Sequence, residues 1–453
     1  MSIESTRELI TKYNRPGPRY TSYPTALQFE PLEDPVPHFE ETSQSTAPLS
    51  LYFHLPFCES LCWFCACTTV ITCNRDHADR YIDALEKEMD LTLPYLNLKN
   101  REAIQLHFGG GSPSFLTEEQ LDRLCTSIYK RFPIAKDAEI SAELDPRTLS
   151  EGKVKVLAKH GFNRASFGVQ DVNPVVQKAV HRIQPDEMNR QCAEWVRASG
   201  FKGLNVDLIY GLPHQTVESF RETLQKILAY DPDRLAVFSY AHVPWVAPAQ
   251  KILERATLPD PETKFSMLLE TIDTLTKSGY VYIGMDHFAK ADDELSIALA
   301  NGGLHRNFQG YTTKAGSELC GFGMSSISMS DIAYRQNLKD LEEWHAAIAD
   351  NRLPATKGYR MTQEDRLRRD LIMNIMCSGE IVYQEYNDSF GINFSEHFSD
   401  AIAALEEPAK DGLVEFNEKG FLVTSKGRLL LRNIAMPFDD YLQAGPKRHA
   451  KTI

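Results

Sequence analysis

The sequence predicts an α/β protein, a parallel sheet with helices outside it that is either barrel-like or doubly wound, followed by a smaller and mostly helical unit. Three observations predict this. Between about residues 48 and 285, short apolar runs alternate with segments of helical period, the pattern of a parallel sheet covered by helices. From about residue 355 the alternation gives way to helices and then a hairpin signal. At 453 residues the chain is also too long for one minimal domain. Three units are expected: an arm over 1–35, a catalytic body over 36–350, and a winged-helix-like unit over 355–453.

The arm carries Arg15-Pro-Gly-Pro-Arg19-Tyr-Thr-Ser-Tyr-Pro24, and its prolines exclude a continuous helix. It is either a solvated tail or a segment packed on the site. Tyr13, Tyr20 and Tyr23 beside two arginines are unusual for pure disorder, which is poor in aromatics. In the body, strands are expected at 49–55, 104–108, 139–143, 164–167, 204–209, 235–240 and 280–283. Ile82, Leu85 and Met89 mark one of the intervening helical faces. Behind the body, Thr362-Gln-Glu-Asp365 resembles a capping box, with Asp in place of the usual Glu, before a helix bearing Leu367, Leu371 and Ile375. Residues 413–416 and 421–424 flank a turn signal at Asn417-Glu-Lys-Gly420, before another helical run at 428–434.

Composition excludes several classes. The hydrophobic and charged fractions are those of a soluble globular protein, no apolar run approaches the ~20 residues of a membrane span, and the N-terminus lacks a signal-peptide core. A formal charge of −13 argues against a nucleic-acid partner, which calls for clustered Lys and Arg. An anionic substrate would therefore need a local positive lining. Nine cysteines, four of them between positions 58 and 67, fit metal binding in a reducing cytoplasm better than a disulfide framework.

Those four cysteines carry the chemistry. Cys58, Cys62 and Cys65 stand at C-x3-C-x2-C spacing after a strand, with Cys67 two residues on. Zinc sites built from four cysteines usually pair two separated C-x2-C knuckles, and no second knuckle exists. Three close thiolates would instead leave one iron of a four-iron cluster open to a small molecule. This is the spacing of the radical S-adenosylmethionine (SAM) enzymes. Cys67 is a fourth ligand, a nearby thiol or a packing residue, whereas Cys73, Cys125, Cys192, Cys320 and Cys377 read as buried hydrophobes. Downstream, Gly109-Gly-Gly111-Ser112 follows a strand and would let a ligand approach the backbone. Glu143, Gln170 and Asp207 recur at the ends of successive strands, where both candidate architectures place their sites.

Together these motifs resemble the oxygen-independent coproporphyrinogen III oxidase (dehydrogenase) family of radical SAM enzymes. The resemblance runs over nearly the full length, through Pro18-Arg-Tyr-Thr-Ser-Tyr-Pro-Thr25, the cysteine loop, the glycine run, Gly168-Val-Gln-Asp171, Asp207-Leu-Ile-Tyr-Gly-Leu-Pro213 and Leu304-His-Arg-Asn-Phe-Gln-Gly-Tyr-Thr-Thr313. It departs in Ser112 for a common Thr and in Ala66 for a frequent Gly. It implies a partial (β/α) radical SAM barrel with a C-terminal helical domain, one [4Fe–4S] cluster on Cys58, Cys62 and Cys65, and two SAM molecules. Tyr52, Phe64, Gly110, Glu143 and Ile327 would hold the SAM at the cluster. Gly111, Ser112, Gln170, Arg182, Asp207 and Ala241 would hold the second.

The implied reaction is oxidative decarboxylation of two propionates of coproporphyrinogen III to vinyl groups, giving protoporphyrinogen IX in haem biosynthesis. A 5′-deoxyadenosyl radical made from SAM would abstract the propionate β-hydrogen. Arg19, His305 and Arg306 are candidates for binding propionates, since Arg takes a carboxylate bidentately. The remaining expectations are a reduced flavodoxin- or ferredoxin-like electron donor, a cytoplasmic monomer, and no nucleic-acid or membrane partner. The alternatives are a haem-binding chaperone of the same family, an anaerobic haem-degrading radical SAM methyltransferase and a winged-helix regulator.

Overall fold

Six parallel strands stand side by side in chain order in the computed structural model: β1 Leu49–Leu55, β2 Ala103–Gly110, β3 Ile134–Leu144, β4 Arg164–Gln170, β5 Gly203–Tyr210 and β6 Arg234–Ser239. Each overlaps a run expected from the sequence, the last ending one residue before the expected 240. The structure describes residues 8–9, 11–442 and 449–452; residues 1–7 and 10 of the expected arm and 443–448 and 453 of the expected C-terminal unit lie outside the described residues. Helices α1 Asp76–Thr92, α2 Glu118–Arg131, α3 Glu151–Lys159, α4 Asp186–Ala198 and α5 Val217–Leu228 link the strands. Reciprocal capping by Thr117 and Gln120 starts α2, and Thr216 and Ser219 do the same for α5. Ile82, Leu85 and Met89 are fully buried on α1, as their spacing requires.

Side chains alternate along every strand. Phe53, Phe108, Ala142, Phe167 and Val206 are buried in the core. The intervening Tyr52, His107, Glu143, Ser166 and Asp207 line two cavities on the other face. That polar stripe positions the site.

The expected strand at 280–283 exists, but not as another parallel unit. Helix α6 Pro261–Lys277 leads into β7 Tyr280–Gly284, which forms an antiparallel hairpin with β8 His287–Lys290, and β8 pairs antiparallel with β6. Met285 and Asp286 alone join β7 to β8, too short a link for the helical crossover that parallel strands need. A second hairpin, β9 His305–Asn307 and β10 Gly310–Thr312, stands apart from the main sheet. The other side of the sheet was not foreseen. There β11 Glu318–Phe322 runs parallel to β1, followed by antiparallel β12 Ile327–Met329, β13 Ala333–Asn337 and β14 Ala355–Arg360. The sheet has 13 strands in an open order, so the barrel is partial, as expected.

Glu88 on α1 is fully enclosed and braces this side. Its carboxyl accepts Gly323 N–H at 2.8 Å and Asn337 Nδ2–H at 2.6 Å, and burial pushes its pKa up to about 8. Asn337 Nδ2 also reaches Gly323 O and Ser326 Oγ, which fixes the turn leading into Ile327.

Helix α7 Gln363–Cys377 opens with the expected capping box, Asp365 filling the Glu position. A small sheet of Glu380–Val382, Gly420–Val423 and Val414–Asn417 follows, and with the helices gives the winged-helix-like outline. The described part of the arm is packed rather than solvated. Tyr20 and Tyr23 are 1% exposed, Tyr20 OH donates to Asp439, and Tyr334 OH donates to the Tyr23 carbonyl. Asn433 Nδ2 reaches Tyr13 O, Arg432 Nη1 reaches Gly17 O, and Pro16 bridges Lys451 antiparallel.

Candidate active site

The cysteine loop leaves the end of β1 and is held by its neighbours. Gly111 N–H donates to Leu55 O at 2.8 Å and Ser112 N–H to Phe57 O at 3.0 Å. A Cβ on Gly111 would lie 2.3 Å from the Pro56 carbonyl. The glycine run therefore makes room first for the loop's own backbone, a use the sequence alone did not show.

Two arginines face the loop. Arg182 Nη1 lies 3.4 Å from Cys62 Sγ and 3.1 Å from Asp145, while its Nη2 donates to Gly168 O. Arg147 also reaches Cys62 Sγ at 3.4 Å and forks onto Asp145. The thiols share one electrostatic environment. Burial, then the charges of Cys65 and its neighbours, push Cys58 up to about 12. Hydrogen bonds from Cys67 hold Cys65 down at about 6 against burial. Among the described residues, no three His, Cys, Asp or Glu side chains are already gathered around one metal-ion position. Three soft donors beside two guanidiniums fit an anionic iron–sulfur cluster in chemistry and charge. Cys67 is exposed and lines the adjoining cavity; Cys73 is exposed too, at the loop's exit, contrary to its expected burial, whereas Cys125, Cys192, Cys320 and Cys377 are buried.

Beside the loop a cavity of about 560 Å³ is lined by Tyr52, His54, Cys67, His107, Gly110, Glu143, Gln309 and Ile327, among others. His107 Nδ1 lies 2.7 Å from Ser141 Oγ and its Nε2 lies 3.3 Å from Glu143 Oε1, and its ring stacks on Tyr52. Burial favours the neutral acid at Glu143, but His107, with help from the Gly110 backbone and His54, outweighs it and keeps the carboxyl below its usual range. Half of its side chain stays exposed at the cavity. A second cavity of about 190 Å³ shares His107, Glu143 and Gln309 and reaches Ser166, Asn205, Asp207 and Phe238. Asp207 is pushed up to about 7 by burial and by the Glu143 charge, although Asn205 and Ser166 bond to it.

Polar atoms without protein partners point to a ligand. Gln170 Oε1 and Gln309 Nε2 are buried and unpartnered. Gln170 also holds a left-handed φ of 70°, and a Cβ on Gly168 would meet its Nε2 at 2.7 Å. A strained residue kept in place this way is common at ligand sites.

The structure thus brings together Tyr52, Gly110, Glu143 and Ile327 at one cavity and Asp207 at the other. Phe64 packs beneath the loop with Trp63, its carbonyl bonded to Gln250, and Ala241 follows the end of β6. Ser112 is buried against Ser114. The three propionate candidates do not share one cavity wall. Arg19 pairs with Asp286 over the Phe238 ring, whereas His305 and Arg306 line a third cavity of about 480 Å³ behind the β9–β10 hairpin, with Arg369 and Asp370. Sequence reasoning missed His54, His107, Asp145, Arg147 and Gln309. The two histidines share the strand period of Tyr52 and Gly109, a signal that was available.

A model described as the radical SAM superfamily matches residues 52–227, and one described as the HemN C-terminal domain matches residues 361–430. Oxygen-independent coproporphyrinogen III oxidase of Synechocystis sp. is 45% identical, over 99% of this chain and 97% of its own. The Escherichia coli K12 protein of that name is 46% identical, over 96% and 95%. The solved structure of coproporphyrinogen III oxidase (HemN) from Escherichia coli, described as a radical SAM enzyme, superposes with a TM-score of 0.90 at 44% identity, covering 93% of this chain and 97% of that one.

Proposed function

The chain belongs to the oxygen-independent coproporphyrinogen III oxidases of the radical SAM superfamily, and from that membership we propose that it oxidatively decarboxylates two propionates of coproporphyrinogen III to give protoporphyrinogen IX. The carrying observation is the placement of Glu143 and His107 at the junction of two cavities beside the Cys58–Cys65 loop. Cys58, Cys62 and Cys65 would hold a [4Fe–4S] cluster, which together with SAM would supply radical chemistry at the propionate.

The protein's own residues bind, orient and exclude water. Glu143, ionised and half exposed at the cavity, takes an ammonium or hydroxyl of the SAM nearest the loop, and Tyr52, Phe64, Gly110 and Ile327 wall that molecule in. Gln170, Asp207 and Ala241 bound a second SAM, a reading that the position of Asp207 at the smaller cavity supports. Arg182, Gly111 and Ser112 serve that site at one remove, since each is engaged with the loop or its strand ends. Arg19, His305 and Arg306 hold propionates. A small reduced flavodoxin- or ferredoxin-like protein delivers the electrons, and the chain acts as a monomer in the cytoplasm.

The test is an anaerobic assay of reconstituted protein with coproporphyrinogen III, SAM and a reductant. Protoporphyrinogen and carbon dioxide are expected. Tight haem binding without turnover would support the chaperone instead, and a ring-opened tetrapyrrole the methyltransferase. Equilibrium dialysis should find two SAM per chain; one would remove the second site.

A further inference from the structure

Where the arm, the ends of β5 and β6 and the C-terminal unit meet, cations outnumber carboxylates among the described residues. Arg19 has Asp286. Arg306, 7% exposed, donates from Nε to Tyr20 O at 3.2 Å and lies over the Tyr311 ring, and its buried Nη1 has no partner. Arg432, 8% exposed, donates only to carbonyls, those of Gly17, Lys451 and Thr452. Lys264 on α6 donates to Tyr240 O at 3.2 Å. Its stem lies against Gly211, where a Cβ would come within 2.9 Å of Lys264 Cε, so Gly211 keeps the space the lysine occupies.

Among the described residues, no carboxylate bears on Lys264. Burial, then Arg432 and Lys451, pull its ammonium down to about 8. Arg432 is lowered to about 10 by burial and by Arg19 and Arg306, with Asp286 opposing. Among the described residues, Asp286 thus stands against Arg19 and Arg432 together, and Lys264 has only a carbonyl partner. A protein that carries excess negative charge overall has gathered these described cations in one place, and such charge is costly to bury without a partner.

We infer that Lys264, backed by Arg432, is a carboxylate-binding subsite that takes a tetrapyrrole propionate at the ends of β5 and β6. Nothing else described so far gives these two residues a ligand. The inference rests on the function proposed above. The same chemistry could meet the carboxylate of a SAM molecule near Ala241, so the test has two arms.

Wild type, Lys264→Met and Lys264→Arg are reconstituted and titrated anaerobically with coproporphyrin III, the stable tetracarboxylate, and with mesoporphyrin IX, a dicarboxylate. SAM is titrated separately. Circular dichroism checks that both variants fold. Lys264→Met should weaken coproporphyrin binding at least tenfold, reduce the preference for the tetracarboxylate, and leave SAM affinity within twofold. Lys264→Arg should recover much of the loss. If Lys264→Met instead weakens SAM alone, the carboxylate subsite stands but belongs to SAM, and the propionate assignment is overturned. Unchanged binding of both overturns the subsite entirely. Failure of wild type to decarboxylate coproporphyrinogen would count against the function itself, so the two failures are distinguishable.

Discussion

Replacing Arg182 with Met removes a charged fork while keeping most of the apolar stem. Three contacts go: Asp145 at 3.1 Å, Cys62 Sγ at 3.4 Å, and the Gly168 carbonyl. A hydrogen bond to a charged group contributes roughly 1.5–3 kcal/mol, and orphaning one member of a buried ion pair costs about 3–5 kcal/mol. Asp145 is not orphaned, because Arg147 still holds it through Nε at 3.0 Å and Nη2 at 2.6 Å. The expected loss is therefore about 2–4 kcal/mol. Urea unfolding followed by circular dichroism, with the slope unchanged, measures it.

The loss should also depend on pH. Burial pulls Asp145 up, but Arg182 and then Arg147 hold it below the usual carboxylate range. A depressed carboxyl contributes stability above its unfolded pKa and loses it as pH falls through the folded value. Without Arg182 that contribution shrinks, so the gap between wild type and variant should narrow below about pH 4. A variant within ~0.5 kcal/mol of wild type at pH 7, or a gap constant from pH 7 to 3, would refute the assignment of Arg182 as the tie between the loop and strands β3 and β4.

Two other outcomes follow from the same geometry. Ser at Cys58, Cys62 or Cys65 should abolish iron uptake, from about four atoms per chain, while Ser at Cys67 should retain it; equal loss at all four positions would make Cys67 a ligand. Glu88 holds a proton in the folded state up to about pH 8, whereas an unfolded Glu releases it near pH 4.3. Its raised pKa therefore makes stability fall as pH rises across that interval. Glu88→Gln should flatten that part of the Tm–pH curve and cost about 1–3 kcal/mol, since an NH2 must then face an N–H donor; a curve parallel to wild type would show Glu88 ionised throughout.

The six parallel strands were legible because each combines a buried apolar face with a polar one, and that period survives without tertiary context. Glu143, Asp207 and the cysteine loop were legible because they cluster at strand ends or at ligand spacing. The far side of the sheet was not. Its strand Ile327–Met329 has three residues and no run long enough to show a period. Asp286, Lys264 and Arg432 were invisible for another reason. Arg19 meets Asp286 across 267 positions of chain, and Arg432 owes its surroundings to carbonyls at both ends of the molecule. Such residues look like ordinary surface charges until the fold brings them inside.

The arm is anchored by residues far along the chain. Asn433 meets Tyr13 across 420 positions, Arg432 meets Gly17 across 415 and Asp439 meets Tyr20 across 419. Closing loops of this length costs more conformational entropy than pairing neighbouring strands, and contacts so distant in sequence form slowly. In refolding, the arm should therefore dock after the parallel strands have paired.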